Sequence, residues 1–279
     1  MGQKLNKWAD VEAGHHNPLA YAVTARDQSI INMVDTAVRH KDVMLAYQAV
    51  VPAGRQTRPA FYEGLVRVLD ETGRIIPARD FIHAIETTET GRIIDCLALE
   101  KGLRALHKFP GLRLSINMSA RSIGYGRWMR SLKRGLGQDP TIAERLILEI
   151  TESSAMLVPE LVVSFMTDLQ RKGISFALDD FGAGFTSFRY LRDFYFDILK
   201  IDGQFIRGIA NDPDNQVLTR ALVGIAEQFD LVTVAESVER PCDAAYLERI
   251  GVDCLQGYFF GAPTVHPPWE EISEQVAFA

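Results

Sequence analysis

The sequence predicts an α/β fold, a TIM-like (βα)8 barrel in which the first strand runs antiparallel to the second. Eight short apolar runs, most of them separated by segments with helical periodicity, are typical of repeated βα units. The 279 residues suit one barrel of this kind, and the content of 47% hydrophobic and 24% charged residues is ordinary for a globular protein. The first two runs are joined by only about ten residues, too few for a crossover helix, so we expect that pair to be antiparallel.

The elements follow in order along the chain. Residues 1–27 lack clear periodicity and are predicted to form an N-terminal arm or linker, and residues 28–279 are predicted to form the barrel domain. An amphipathic helix is predicted over 29–40, where apolar residues recur at helical spacing. Strands are predicted over 43–50, 61–69, 112–118, 145–151, 175–180, 198–202, 232–237 and 254–260. Helices are predicted over 92–107, 159–172, 214–229 and 241–250.

Charge, cysteine content and hydropathy exclude several classes of protein. The formal net charge of −6 argues against long nucleic acid as a partner, although bound cations would still allow a small anionic substrate. Cys96, Cys242 and Cys254 form no CxxC pair, which indicates a reducing compartment without a disulfide framework or zinc site. The N-terminus lacks the apolar region of a signal peptide, and no apolar stretch approaches the roughly 18 residues of a membrane helix. We therefore expect a cytoplasmic chain with no membrane segment.

Every predicted strand carries a polar residue within an otherwise apolar run. These residues are Gln48, Glu63, Asn117, Glu149, the pair Asp179 and Asp180, Lys200, Glu236 and Gln256. In a barrel of this kind the active site lies where the strands end, so the polar residues are expected to converge. A single carboxylate in such a run usually faces solvent or belongs to an ion pair. Five converging carboxylates, however, would repel one another unless cations neutralise them.

The ligand types predict which cations would bind. Oxygen ligands without His or Cys favour Mg²⁺ or Mn²⁺ over zinc. The adjacent Asp179 and Asp180 suit two ions about 3.5–4 Å apart, a pair that lowers the pKa of a water and clamps a phosphoryl group. Lys200 would hold the attacking water or stabilise charge in the transition state. The residues themselves therefore support the hypothesis of two-metal phosphoester hydrolysis.

The same residues stand in short motifs that occur in a fixed order. These are ExLxR at 63–67, NxS at 117–119, LEITE at 148–152, DDFGxG at 179–184, LKID at 199–202, AExVE at 235–239 and QGY at 256–258. In this order they closely resemble the EAL family, the phosphodiesterases of the bacterial second messenger cyclic di-GMP. The resemblance runs from about residue 45 to residue 263, which is most of the chain.

The resemblance implies an activity and a role for each matching residue. The activity is hydrolysis of one phosphodiester bond of cyclic di-GMP to linear pGpG by a homodimer that uses two divalent cations, Mg²⁺ or Mn²⁺. The implied metal ligands are Glu63, Asn117, Glu149, Asp179, Asp180 and Glu236. The implied catalytic residues are Lys200, Glu236 and Glu152. Lys200 would contact the nucleophilic water, and Glu236 has also been discussed as a base. Glu152 would anchor the loop 182–187, near the metal site and the dimer interface. The residues that would face the substrate are Gln48, Arg67, Asp202 and Gln256. Glu239 would lie next to the metal ligands and support them without binding the ions.

The sequence departs from the family pattern at a few positions. Gly64 replaces the alanine of the family name, which is expected to loosen the strand slightly, and Ser237 replaces a common glycine. Neither change removes a predicted ligand.

Two alternatives remain open. The first is a cyclic di-GMP receptor with little or no catalytic activity, which would show tight binding without turnover. The second is a Schiff-base enzyme that uses Lys200, although nearby carboxylates would favour the protonated lysine.

Overall fold

Eight strands close into a barrel, and a short ninth strand extends its sheet, in a computed structural model that describes residues 18–54, 58–183 and 191–269. The strands are β1 (Val43–Pro52), β2 (Phe61–Leu69), β3 (Ile75–Pro77), β4 (Leu114–Asn117), β5 (Leu146–Thr151), β6 (Ser175–Phe181), β7 (Ile198–Ile201), β8 (Val232–Ala235) and β9 (Cys254–Gln256).

Pairing of β1 with β2 closes the barrel. The order around it is β1, β2, β4, β5, β6, β7, β8 and β9, after which β9 pairs with β1 again. Strand β1 is antiparallel to both of its neighbours, and the other barrel pairs are parallel. Strand β3 pairs with β2 outside the barrel. The predicted TIM-like barrel with an antiparallel first strand is therefore confirmed.

Helices surround the barrel. Within the described residues the α-helices are α1 (Pro18–His40), α2 (Ile82–Ile85), α3 (Glu89–Lys108), α4 (Gly126–Gln138), α5 (Glu152–Ala155), α6 (Pro159–Gln170), α7 (Gly203–Ile206), α8 (Pro213–Gln228) and α9 (Pro241–Arg249). Helix α1 begins at Pro18, so residues 18–27, which were assigned to an arm, are helical. Proline suits the first turn of a helix, and the alanines that follow favour helix. Residues 1–17 lie outside the described residues, and the predicted domain boundary stays a prediction.

Side chains inside the barrel form two layers. The lower layer is an apolar cluster of Val50, Phe61, Ile147, Ala177, Ile198, Val234 and Cys254, to which β4 adds the buried Ser115. Because side chains alternate between the faces of a strand, the residue two positions away on each strand also points inward. On all eight strands that position holds a predicted polar residue: Gln48, Glu63, Asn117, Glu149, Asp179, Lys200, Glu236 or Gln256. The predicted ring of polar residues is thus the second layer of the barrel interior, which we call the upper layer.

A larger apolar core lies between the strands and the helices and includes Leu99, Leu148 and Phe176. Among the described residues we find no helix with the length and apolar character needed to cross a membrane.

Candidate active site

Lys200 lies at the centre of the upper layer. Its Nζ is 2.7 Å from Glu149 Oε2 and from Glu236 Oε1, 2.9 Å from Asp179 Oδ1 and 3.4 Å from Glu63 Oε2. The side chain is only 1% exposed. An ammonium group buried to this degree is stable only beside groups of opposite charge, and four carboxylates supply that charge here.

Two amide side chains hold Glu63 in place, and a third amide, Gln48, contacts one of them. Asn117 Nδ2 donates to Glu63 Oε1 at 2.8 Å, and Gln256 Nε2 donates to Glu63 Oε2 at 2.6 Å. Gln256 Nε2 also lies 3.2 Å from Gln48 Oε1, and Gln48 Nε2 donates to the carbonyl of Gly261 at 3.0 Å. The amides therefore fix the orientation of the carboxylate.

An irregularity in β6 brings both aspartates of the pair to the site. Neighbouring residues of a regular strand face opposite sides of the sheet. The register between β6 and β7 shifts between Leu178 and Phe181, and Asp180 has a φ of 55°. Aspartate tolerates this left-handed conformation better than most residues, and one extra residue at a bulge redirects a side chain. Asp179 and Asp180 consequently line the same cleft.

The carboxylates keep Lys200 protonated. Burial by itself lowers the pKa of a lysine, but the charges of Asp179, Glu149, Glu236 and Glu63 outweigh burial and raise the pKa of Lys200 well above its usual value. A Schiff base requires a neutral amine, so this environment argues against the Schiff-base alternative.

The carboxylates themselves differ in pKa. Burial raises the pKa of Glu149 to about 8, and repulsion from Glu63 adds to the effect. Burial and then Asp179 raise the pKa of Asp180 to about 6, and burial raises the pKa of Glu236 well above its usual value. Burial also acts on Glu63, but Lys200 and the hydrogen bonds from Gln256 and Asn117 outweigh it and lower the pKa. Several of these groups would therefore take up protons unless cations compensate their charge.

The residues of the upper layer fit divalent cations. Among the described residues, Glu149 Oε1 is buried without a hydrogen-bond partner, and so is Asp179 Oδ1, which lies near Lys200 Nζ but outside hydrogen-bond geometry. Two groups of carboxylates each bring one oxygen per residue within 4.8 Å of one another: Glu63, Glu149 and Asp179, and Asp179, Asp180 and Glu236. Five carboxylates and one ammonium carry a formal charge of −4, which two divalent cations would neutralise. The arrangement therefore suits two ions, and Asp179 belongs to both groups.

A cleft of about 790 Å³ opens above this layer. One wall is apolar and includes Leu65, Pro77, Ala78 and Ile82. Around the acidic centre the cleft also carries Arg67, Arg79, Arg207 and Tyr258. An apolar wall with a few charged groups is typical of a site for a small ligand, and the arginines favour an anionic one.

The remaining sequence-predicted residues lie around the cleft. Glu152 is buried, and its Oε2 accepts a hydrogen bond of 3.3 Å from the backbone N–H of Gly182, at the start of the loop that follows β6. Glu239 lies in the cleft wall, with Oε1 3.8 Å from Arg207 Nε. Asp202 is not among the residues that line the described cleft. Its Oδ1 accepts a 2.7 Å hydrogen bond from the N–H of Gln204 and so caps α7. The substrate contact of Asp202 stays a prediction.

Sequence reasoning missed Asp95, Arg79 and Arg207. Asp95, on α3, accepts hydrogen bonds from the N–H of Ser119 at 3.0 Å and from Ser122 Oγ at 2.6 Å, and so supports the segment that follows Asn117. The available signal was a carboxylate among the apolar residues of a helix. The two arginines lie outside the motifs, and the sequence held no signal that they would reach the cleft.

A comparison with protein families matches residues 31–263 to the EAL domain. Among curated relatives, the cyclic di-GMP phosphodiesterase PdeB of Shewanella oneidensis is 29% identical over 81% of this chain and 27% of its own length. The cyclic di-GMP phosphodiesterase PdeF of Escherichia coli is 28% identical over 84% of this chain and 32% of its own length. The chain thus spans about three tenths of the length of these relatives.

A solved structure shares the fold over nearly its whole length. The PaMucR phosphodiesterase in complex with c-di-GMP is 27% identical, with a TM-score of 0.75, over 87% of this chain and 99% of the solved chain.

Proposed function

Because the chain belongs to the EAL domain family, we propose that it hydrolyses one phosphodiester bond of cyclic di-GMP to give linear pGpG, with two divalent cations, Mg²⁺ or Mn²⁺. The observation that carries the proposal is the upper layer of the barrel, in which four carboxylates surround Lys200 and a fifth, Asp180, lies beside them. The names of the relatives PdeB and PdeF and the c-di-GMP complex of PaMucR support the choice of substrate.

The proposed ligands of the two ions are the residues whose oxygens meet in this layer. They are Glu63, Asn117, Glu149, Asp179, Asp180 and Glu236. Bound divalent cations would lower the pKa of a water molecule and compensate the charge of a phosphoryl group. The hydrogen bond to Glu63 uses Nδ2 of Asn117, so its amide oxygen is the atom proposed to bind an ion.

The protonated Lys200 acts as a hydrogen-bond donor. An ammonium group has no lone pair with which to accept a proton, but it can orient the water and stabilise negative charge that develops on the phosphoryl oxygens. Glu236, whose Oε1 lies 2.7 Å from Lys200 Nζ, is the proposed acceptor for the proton of that water. Gln48, Gln256 and Arg67 line the cleft and are proposed to contact the substrate.

A turnover experiment separates this proposal from the receptor alternative. Purified protein is incubated with cyclic di-GMP and Mn²⁺ or Mg²⁺, and the products are separated by chromatography. We expect pGpG to accumulate, and we expect EDTA to stop the reaction. Tight binding without any pGpG would instead identify a receptor.

Variants of the acidic layer test the metal assignment. Glu63→Ala and Asp179→Ala each remove a proposed ligand, and we expect each to reduce turnover by at least about 100-fold, beyond the usual effect of residues that only support ligands. Asp168→Ala is the matched control, since Asp168 is an exposed carboxylate on the outer helix α6. Equal activity of Glu63→Ala and the wild type would contradict the assignment.

A further inference from the structure

Two arginines line the same cleft near the point where β2 pairs with β3. In the β2–β3 pairing Arg67 is opposite Pro77, and Arg79 follows two residues later in the 3-10 turn Ala78–Asp80. Both side chains line the cleft. Arg79 lies outside the motifs that carry the family resemblance.

The two guanidinium groups have little negative charge to compensate them. Arg67 is partly buried, and the partner it shows is the carbonyl of Val66, at 2.8 Å. Among the described residues it has no carboxylate within 4 Å. Arg79 is 3.7 Å from Asp80 Oδ1, but both of these side chains are largely exposed, so this ion pair is weak.

The proximity of the two arginines is electrostatically unfavourable. Burial and the neighbouring charge of Arg79 together lower the pKa of Arg67. An anion placed between the guanidinium groups would relieve this repulsion, and a phosphate fits the planar donor face of arginine.

The position of the pair relative to the acidic centre limits which phosphate it can bind. Glu63 and Arg67 lie on the same face of β2, four residues apart, which separates their Cα atoms by roughly 13 Å. Leu65, between them, and Pro77 and Ala78 give that stretch of the wall an apolar surface. This separation allows a ligand with two phosphates to place one at the acidic centre and the other at the two arginines.

We propose that Arg79 acts with Arg67 to hold the phosphodiester of the cyclic dinucleotide that is not being cut, and so determines the preference for a substrate with two phosphates. This inference rests on the proposed function, which supplies the substrate. Arg79 is a specificity-determining residue and takes no part in bond cleavage.

Arg79→Gln tests the inference, with Arg74→Gln as the matched control. Arg74 is an exposed arginine of the β2–β3 hairpin that pairs with Asp70 and does not line the cleft. For Arg79→Gln we expect the KM and the Kd for cyclic di-GMP to rise about tenfold while kcat changes less than twofold, and we expect Arg79→Lys to recover part of the affinity. Arg74→Gln should resemble the wild type.

A second substrate separates a specific contact from a general defect. Bis(p-nitrophenyl) phosphate has a single phosphodiester. The Arg79→Gln substitution should therefore reduce kcat/KM for this compound at least about fivefold less than it reduces kcat/KM for cyclic di-GMP. Equal losses on both substrates, or an unchanged KM for cyclic di-GMP, would overturn the inference.

The binding measurement keeps the two proposals distinguishable. If the wild type binds cyclic di-GMP but does not cut it, the proposed function fails, and the Kd of Arg79→Gln measured by calorimetry still decides the role of Arg79. If the wild type does not bind cyclic di-GMP at all, both proposals fail.

Discussion

Ser237 shows why the family pattern commonly has glycine after the glutamate of its AExVE motif. This residue has a φ of 55°, a conformation that glycine adopts without strain and that other residues rarely adopt. Its hydroxyl accepts a hydrogen bond of 3.0 Å from Arg207 Nη2, which compensates part of the strain. The substitution therefore links Arg207 to the residue next to Glu236, a contact that the sequence did not predict because it joins α7 to the end of β8.

Asp95 gives a prediction for stability at the residue scale. Burial raises its pKa to about 6, although hydrogen bonds from Ser122 and Ser119 act in the opposite direction. A carboxyl whose pKa is raised on folding favours the native state at low pH, and this advantage is lost as the pH rises from about 4 to about 6. Asp95→Asn keeps an oxygen acceptor without the charge. We expect it to raise the free energy of unfolding at pH 7 by about 1–3 kcal/mol and to have little effect at pH 4, as measured by urea denaturation.

Asp70→Asn is the control of opposite sign. Hydrogen bonds from Thr72 and from the N–H of Arg74 lower the pKa of Asp70 to about 2, so its charged form stabilises the native state at pH 7. This variant should lose stability at pH 7. A lower free energy of unfolding for Asp95→Asn at pH 7 would contradict the prediction. It would show that the hydrogen bonds to Asp95 require the charged carboxylate.

At the scale of elements, Gly64 and Gly102 explain how β2, β4 and α3 pack. A Cβ on Gly64 would lie 2.8 Å from Ile116 Cδ1, and a Cβ on Gly102 would lie 2.7 Å from the same atom. Ile116 of β4 is only 1% exposed and fills the space that both glycines leave. Ile116 therefore occupies the volume of the missing methyl group, and the expected loosening of the strand stays a prediction.

The substitution Gly64→Ala, which restores the family alanine, tests the contact between position 64 and Ile116. Gly64→Ala pushes against Ile116 Cδ1, and we expect it to lower the free energy of unfolding by about 1–2 kcal/mol. Ile116→Val removes the contacting methyl group and should cost about 1 kcal/mol by itself. The double variant should lose less free energy of unfolding than the sum of the two single losses. We expect this difference, the coupling energy, to be at least about 1 kcal/mol by urea denaturation. Additive losses would mean that the side chains at positions 64 and 116 do not interact.

Helix α4 and strand β3 are two elements that the sequence analysis did not predict. Helix α4 buries Trp128 and Leu132, which lie four residues apart, so its sequence did carry a helical pattern. Gly135 lies against Leu103 of α3, where a Cβ would approach the leucine to 2.8 Å. Strand β3 has only three residues. By contrast, the barrel strands combine apolar runs with one polar residue at a fixed spacing, and all of them were predicted.

At the scale of the molecule, the family resemblance predicts a homodimer that the structure of a single chain does not test. Leu157 and Leu161, at the start of α6, are 53% and 46% exposed. They follow Glu152, which the resemblance places beside the dimer interface. Leu161→Glu would place a charge in an apolar contact, so we expect it to give a monomer of 31.2 kDa by light scattering, where the wild type gives twice that mass.

Leu218→Glu is the matched control for the dimer. Leu218 is 48% exposed on α8, and the substitution adds the same charge on another face. A dimer that persists in Leu161→Glu would exclude the start of α6 from the interface, and a monomeric wild type would contradict the dimer itself.

The overall architecture was predictable because strand number, strand length and the spacing of polar residues all agree on one barrel. The convergence of the polar residues followed from the same spacing, since eight strands each place one polar residue in the same layer. What the sequence did not reveal depends on contacts between distant segments: the contact of Ile116 with both glycines, the approach of Arg79 to Arg67, and the link between Arg207 and Ser237.

The apolar layer beneath Lys200 limits the routes by which ligands can enter and leave the cleft. Because Phe61, Ile147, Ile198 and their neighbours plug the barrel, nothing can leave through its far end. The cleft is therefore open at one end only, and under the proposed function the linear product would leave by the route along which the cyclic substrate enters. We therefore expect added pGpG to inhibit the proposed reaction in competition with cyclic di-GMP.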